Sequence, residues 1–281
     1  MTIPEQRVSL PSSKVRPSEP PSDVPERAPL MSRRWFAIVA GFTIPGVVIA
    51  VWWVVSALKL LPVSQLPSPE MVVLALFDMA QRGWLAQDIA ISAQRVVIGF
   101  LGGATLGLIF GAVVGLSRKG DLFLAPTLGA IRAVPSLAWI PLLLIWLKIG
   151  EDSKITLIAI GAFFPVYTTV ASALRHVDKQ LVEAARAFGH TGLRLFATVQ
   201  LPAIIPSVVS GLRLALAQAW LFLVAAELIA SSMGLGFRLI DSQNNGRVDR
   251  IFLIIILLAI LGKATDALIG IFERWVQRRL A

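Results

Sequence analysis

The chain has 281 residues, of which 56% are hydrophobic and 15% are charged, and its mean hydropathy is +0.75. Average soluble domains carry about 25% charged residues, so this composition excludes an ordinary soluble domain and predicts an all-α, polytopic membrane protein. The absence of cysteine excludes disulfides and thiolate sites, and the two separated histidines predict no metal site. The net charge of +9 comes from basic residues dispersed among loops beside apolar segments, so it indicates membrane topology rather than nucleic-acid binding.

The N-terminal segment differs from the rest of the chain because it is rich in proline and serine and mixed in charge. Such a segment has no hydrophobic face, so residues 1–34 are predicted to form a disordered cytoplasmic tail. A secretory signal peptide is not predicted, because the first apolar run begins only at Trp35 and has no small-residue cleavage site at its end. We therefore expect the first span to remain in the mature protein.

Six apolar segments are long enough for helices that cross a bilayer, which needs roughly 20 residues. They are predicted at 35–60, 89–116, 123–147, 155–174, 205–231 and 251–272. Residues 61–88 are amphipathic and too polar to cross, so they are predicted at the outer interface. Residues 89–273 then form a five-helix core, and 274–281 a basic cytoplasmic tail. Lysine and arginine are more frequent in the loops on the side of both termini, and the positive-inside rule places that side in the cytoplasm.

The second predicted span carries a series of glycines spaced by four residues. The series consists of Gly99, Gly103, Gly107, Gly111 and Gly115. Because this spacing places them on one face of a helix, another helix can approach with its backbone close. The glycine series therefore predicts a helix-packing face, either within the subunit or against a second copy of the chain.

The third predicted span contains three prolines, Pro126, Pro135 and Pro141, with Arg132 between the first two. Proline removes backbone donors, so this span is predicted to kink or break. Backbone groups freed at membrane depth need protein or water as partners. The span therefore either lines an aqueous pathway or is a purely structural kink.

Charged residues in the predicted spans are a further signal, since a charge in a bilayer usually faces the bundle interior or water. The candidates are Arg132, Arg213, Glu227, Lys263 and Asp266. Arg213 can reach the membrane boundary, and Lys263 and Asp266 have the spacing of an i,i+3 ion pair, so a structural role is favoured for these three. Glu227, within the run LFLVAAELIA, is predicted to stabilise a gate or to line a pathway.

A charged segment at 178–202 interrupts the apolar runs and is predicted to lie in the cytoplasm. Its first part, 178–188, can form a short helix on which Leu181, Ala185 and Phe188 share one face. Gly189 is a natural C-cap for this helix. A narrow helix with two large apolar anchors can enter a groove on another protein, although an ordinary amphipathic loop has the same pattern.

The spacing within this segment is specific. Glu183-Ala184-Ala185 is followed after three residues by Gly189, and after nine more by Val199, one residue, and Leu201-Pro202. It resembles the EAA signature of the permease subunits of bacterial ABC importers, with Val199 in place of the usual isoleucine. Further segments are similar to the nitrate, aliphatic sulfonate and taurine permeases, and most of all to the aliphatic sulfonate permeases; they are 66–72, 92–100, 134–154, 163–169 and 219–237. The run LKIGED at 147–152 departs from that group.

The resemblance implies a type I ABC importer permease fold and the transport of a small anionic solute across the bacterial inner membrane. It implies a periplasmic binding protein, a homodimer of permeases and two ATPase subunits that use ATP and Mg, with no cofactor on this chain. The residues implied in coupling to the ATPase are Glu183, Ala184, Ala185, Gly189, Leu201 and Pro202. For the translocation path we predict Arg132, Trp139, Trp220 and Glu227, because an anion needs hydrogen bonds or a buried arginine along its way.

Catalysis is not predicted for this chain. It lacks the G-x-x-x-x-G-K-[ST] phosphate loop, a Ser/His/Asp set and a credible carboxylate pair, so ATP hydrolysis is assigned to another polypeptide. The alternative function is a stand-alone secondary transporter driven by an ion gradient. That alternative predicts internal repeats, and residues 35–150 and 151–275 show none.

Overall fold

Helices account for every regular element in the part of the chain that the structure describes. The computed structural model describes residues 34–280, with side-chain surroundings from residue 41 onward except at 276, 277, 279 and 280. The α-helices are α1 (Arg34–Ala57), α2 (Pro69–Gln81), α3 (Trp84–Leu116), α4 (Arg118–Ala133), α5 (Ile140–Leu147), α6 (Glu151–Arg175), α7 (Lys179–Ala187), α8 (Gly192–Leu195), α9 (Leu201–Ala230), α10 (Leu235–Asn244) and α11 (Val248–Leu280). The predicted all-α membrane fold is confirmed. The tail predicted at 1–34 lies outside the described residues apart from Arg34.

Within the described residues, four helices are long and apolar enough to cross a membrane: Trp84–Leu116, Glu151–Arg175, Gly192–Ala230 and Val248–Trp275. A fifth span is possible by length and composition if the bent pair Arg118–Ala133 and Ser136–Leu147 crosses as one unit. The span predicted at 35–60 coincides with α1, of which Gly41–Ala57 is a shorter apolar helix. The basic segment predicted as a cytoplasmic tail at 274–281 continues α11 as far as Leu280.

Residues 61–88 divide between two helices. Ser68 caps α2 by accepting a hydrogen bond from the Met71 amide at 3.3 Å. Gly83 has a φ of 74°, a left-handed conformation that favours glycine, and it ends α2 and lets α3 begin at Trp84. Residues 84–88, predicted as part of the outer amphipathic segment, therefore belong to the first long span.

The third predicted span is broken at Pro135, where the chain bends by 88° between two helical pieces. Val134 is extended (φ −71°, ψ 125°), as the steric effect of a following proline requires. Pro141 lies in the first turn of α5, where a missing backbone donor costs little, and Pro126 is accommodated inside α4. The predicted break is confirmed, and Pro135 is the proline at which it occurs.

Helices α3 and α6 run parallel, and the glycine series lies at their contact. A Cβ atom added at Gly107 would lie 2.8 Å from the Phe163 carbonyl oxygen and 2.8 Å from the Val166 Cβ. At Gly99 it would lie 2.6 Å from Ile158 Cγ2, and at Gly103 it would collide with the Ala159 backbone. Distances this short leave no room for a side chain, so in this structure the glycine series packs within the protomer.

Helix α9 completes the core by packing antiparallel against α6. Gly161 on α6 accommodates the ring of Phe222, and Gly211 on α9 lies against Thr169. Residues from Trp52 onward form one compact unit, and every contact described here lies within it. The core places the first turns of α3 and α6 and the last turn of α9 at one end of the bundle, and α7 follows the last turn of α6 at the opposite end.

Candidate coupling segment and buried charge cluster

The short helix α7 is closed at both ends by local hydrogen bonds. Asp178 precedes it, and its Oδ1 accepts a hydrogen bond from the Gln180 amide at 2.8 Å. At the other end Gly189 has a φ of 84° and its amide donates to the Arg186 carbonyl oxygen, while the His190 amide donates to that of Ala185. This pair of bonds is the Schellman motif, and it confirms the predicted C-cap at Gly189.

The predicted coupling residues do not share one environment. Ala185 is buried against its own protomer, whereas Glu183, Ala184 and Gly189 are exposed. Leu201 and Pro202 form the first turn of α9, immediately after a π-helical turn at Phe196–Gln200. One side of α7 is therefore seated on this chain, and its other side is free for a partner.

Large apolar side chains stand out on the free side of this segment. Phe188 is 85% exposed and Leu193, at the start of α8, is 86% exposed. Next to Leu193, a groove of about 330 Å³ is lined by Arg186, Leu195 and Phe196 among others. A contiguous patch of exposed apolar side chains on a face that meets water is typical of a contact surface. Of the face predicted for Leu181, Ala185 and Phe188, the two large residues are exposed and only Ala185 is buried.

The opposite end of the bundle holds a buried charge cluster around Glu227 of α9, which is 0% exposed. Its carboxylate accepts hydrogen bonds from Arg95 Nη1 at 2.7 Å, from the Ser92 hydroxyl at 2.9 Å and from the Gly236 amide at 2.7 Å. Burial of a lone carboxylate is costly, and these donors offset that cost. Glu227 thus joins α9 to α3 and to the start of α10.

Arg95 is the centre of the cluster and is only 3% exposed. Besides Glu227, its guanidinium donates to Glu151 through Nε at 2.7 Å and Nη2 at 2.6 Å, and to the Met233 carbonyl oxygen at 2.8 Å. Lys154 approaches the same Glu151 carboxylate at 3.0 Å. A single arginine therefore fastens α3 to α6, to α9 and to the loop between α9 and α10.

A second set of ion pairs extends this end towards α2 and α10. Asp88, 1% exposed, accepts from Arg238 Nε at 2.8 Å and from the Gly234 amide at 3.0 Å. Asp78 of α2 accepts hydrogen bonds from Arg82, which follows the helix, and from Arg250. These bonds hold the pKa of the Asp78 carboxyl below its ordinary value. The guanidinium of Arg238 also stacks over the ring of Trp84, 4.3 Å from its centroid.

The structure separates the residues predicted for the path. Arg132 is exposed in the last turn of α4, so it is not the buried arginine that was expected; Arg95 and Arg250 are buried instead. Trp139 is partly buried and packs on the core beside the break. Trp220 is buried, and its indole donates a hydrogen bond to the Thr265 hydroxyl at 3.0 Å. It therefore links α9 to α11.

The other charged residues predicted within the spans, Arg213, Lys263 and Asp266, form ion pairs that involve α11. Arg213 forms a double hydrogen bond with Asp266 at 2.8 and 2.9 Å, so it pairs across helices rather than only reaching the membrane boundary. Lys263 contacts the same carboxylate at 3.5 Å, which confirms the predicted i,i+3 pair.

Sequence reasoning missed Asp88, Ser92, Arg95, Glu151 and Arg238. A signal for the first three was available, because they continue the face of the glycine series backwards from Gly99 at helical spacing. Placing the start of the helix at residue 89 left Asp88 outside it. Their partners lie 56 to 150 positions away, so no local pattern could identify them.

Comparison with known proteins assigns the architecture to a family. Residues 103–278 match the family described as binding-protein-dependent transport system inner membrane component. The chain is 39% identical over 242 residues to SsuC of Bacillus subtilis (strain 168), across 86% of this chain and 88% of that protein. It is 40% identical over 246 residues to SsuC of Escherichia coli (strain K12), across 87% of this chain and 94% of that protein. Both relatives are provisionally named aliphatic sulfonates transport permease proteins.

Two further similarities agree with this assignment. The taurine transport system permease protein TauC of Escherichia coli (strain K12) is 34% identical over 240 residues, across 84% of this chain and 86% of that protein. A chain in a structure of inward-facing conformations of the MetNI methionine ABC transporter has the same fold, with a TM-score of 0.54 and 22% identity over 70% of this chain and 94% of that chain. The chain therefore belongs to the family of binding-protein-dependent transport system inner membrane components, the permease subunits of ABC importers.

Proposed function

We propose that this permease carries aliphatic sulfonates inward across the bacterial inner membrane. The identity of 39% and 40% with the two SsuC proteins, over most of both chains, supports this solute class over taurine or nitrate. A periplasmic binding protein delivers the solute to the charged end of the bundle. Two copies of the chain form the path, both termini lie in the cytoplasm, and the subunit catalyses no reaction itself.

The exposed apolar side chains at the end of α7 and at the start of α8 are the observation that carries the coupling part of the proposal. Phe188 at 85% and Leu193 at 86% exposure offer apolar anchors, while the buried Ala185 ties the helix to this protomer. An ATPase subunit that binds these anchors can therefore move α7 together with the helices on which it is seated. Glu183, Ala184, Ala185, Gly189, Leu201 and Pro202 are the residues proposed for coupling, Ala185 by seating α7 on this protomer rather than by touching the ATPase. ATP and Mg are used by that ATPase, and this chain binds no cofactor.

The experiment is reconstitution of the permease in proteoliposomes with its ATPase and its binding protein. We expect ATP-dependent uptake of ethanesulfonate that exceeds the uptake of taurine and of nitrate. Uptake that requires an ion gradient and proceeds without ATP would contradict the importer mechanism. ATP-dependent uptake of nitrate or taurine in preference to ethanesulfonate would leave the mechanism standing and overturn the solute assignment.

The stoichiometry is tested on the same preparation. Mass measurement of the detergent-purified complex should give two permeases and two ATPases. A complex with one copy of this chain and one of a different permease would contradict the homodimer.

A further inference from the structure

An open groove of about 470 Å³ lies between α6 and α9, in the half of the bundle nearer to α7. It is lined by Thr168, Thr169, Ser172, Ala173, His176 and Ser207. Five of these six residues carry a polar side chain, and none of the six is acidic. A groove of this composition is unusual within two helices that are otherwise apolar enough to span a membrane.

The hydroxyl groups in this groove are not all used in the ordinary way. Serine and threonine in helices usually return their proton to a carbonyl oxygen one turn earlier. Thr168 does so with Phe164 at 2.9 Å, and Ser210, outside the groove, does so with Pro206 at 3.0 Å. The hydroxyls of Thr169, Ser172 and Ser207 make no hydrogen bond to any described residue, although all three line the groove. Three donors are thus free for a ligand.

Free donors on a spanning helix restrict what can face them. A hydroxyl that faces lipid without a partner costs free energy, because the hydrocarbon offers no acceptor. The groove is therefore suited to a face that meets water or a polar solute. His176 lies at its end, with Nδ1 donating to the Ser172 carbonyl oxygen at 2.7 Å and Nε2 without a partner among the described residues.

We propose that Thr169, Ser172 and Ser207 form a passage site for the sulfonate group of the solute, on the half of the path nearer to α7. This proposal deepens the proposed function and depends on it. Three hydroxyl donors match the three oxygens of a sulfonate and replace part of its hydration shell.

The charge balance around the groove favours a weak, transient site. The neighbouring cation Arg175 is already paired with Asp121, so the groove offers neutral donors rather than a full positive charge. A site on a conduction path must be favourable enough to admit the solute and weak enough to release it. Neutral hydroxyls meet both requirements better than an unpaired arginine would.

The test removes the three hydroxyl donors while changing the shape of the groove as little as possible. The variant Thr169→Val/Ser172→Ala/Ser207→Ala is reconstituted with the ATPase and the binding protein, and ethanesulfonate uptake is divided by ATP hydrolysed. A hydrogen bond contributes about 5-fold to an equilibrium or rate, so we expect the ratio to fall about 10-fold or more. The control Ser210→Ala deletes a hydroxyl already bonded to its own helix, and we expect it to change the ratio by no more than about twofold.

The experiment distinguishes failure of the passage site from failure of the proposed function. If the unmodified complex takes up no ethanesulfonate, the proposed function itself fails. If it does, and the triple variant has an unchanged ratio, the passage site is overturned alone. If the triple variant does not assemble, the single variants Thr169→Val and Ser172→Ala are measured in the same way, and a ratio equal to that of Ser210→Ala in both would assign the hydroxyls to contacts between protein chains and overturn the site.

Discussion

Replacing Glu227 with glutamine is expected to destabilise the permease rather than to block transport directly. The carboxylate is fully buried and receives hydrogen bonds from Arg95, Ser92 and the Gly236 amide. Glutamine keeps the volume but has one acceptor oxygen, and its amide donors would face groups that are themselves donors. The substitution therefore leaves a buried guanidinium short of one negative partner.

The expected loss in the free energy of unfolding depends on the hydrogen bonds that Arg95 keeps after the substitution. Breaking a buried ion pair by removing one partner costs about 3–5 kcal/mol. Glu151 continues to hold Arg95 through two hydrogen bonds at 2.7 and 2.6 Å, so the lower end of that range, about 3 kcal/mol, applies. The matched control is Asp266→Asn, which breaks a pair with the half-exposed Arg213 and should cost less, because Arg213 is not buried and also lies 3.6 Å from Glu273.

The assay measures thermal unfolding of the detergent-purified subunit and uptake by the same preparation in proteoliposomes. A double-mutant cycle with Arg95→Met should show strong coupling, because the second substitution removes a group that the first has already left short of a partner. Unchanged unfolding with lost uptake would refute the structural role and assign Glu227 to a gate or to the solute. If both thermal unfolding and uptake were normal, Glu227 would have neither the structural role nor a role at a gate or the solute.

Two glycine substitutions test the other structural features. Gly189→Val places a β-branched residue at a φ of 84°, which costs about 1 kcal/mol or more, and should weaken co-purification with the ATPase; unchanged co-purification would count against α7 as the coupling helix. Gly107→Leu should reduce the yield of folded protein because its Cβ alone would meet the α6 backbone at 2.8 Å. The control Gly102→Leu, at a position with nothing within 4 Å, should be mild, and equal yields would contradict the close packing of α3 and α6.

The local part of the fold was predictable from single residues. Gly189 predicted a left-handed cap, and the prolines of the third span predicted a break, because each acts on its own backbone whatever the tertiary structure. The sequence did not show which of the three prolines breaks the helix. Pro141 falls in a first turn, where the lost donor is not needed, and that position is defined only once Pro135 has ended the preceding helix.

The buried charge cluster was not predictable in the same way. The position of Glu227 in an apolar run indicated a constrained charge, but the choice between a pathway residue and a structural partner depended on what faced it. Arg95, 132 positions earlier, supplies that partner only because α3 and α9 meet through the packing of both on α6. Arg132 was favoured instead because it stands between prolines, a local signal that does not report burial.

The contact between α3 and α6 connects the two ends of the bundle. At Gly103 and Gly107 the backbones are so close that no side chain fits between them. Residues 176–178 are all that separate the end of α6 from the start of α7. At the far end of the same pair, Arg95 of α3 and Glu151 of α6 hold each other and, through Glu227, the last turn of α9. The packed helices α3 and α6 thus extend from the end of the bundle at which α7 follows to the charge cluster that joins them to α9.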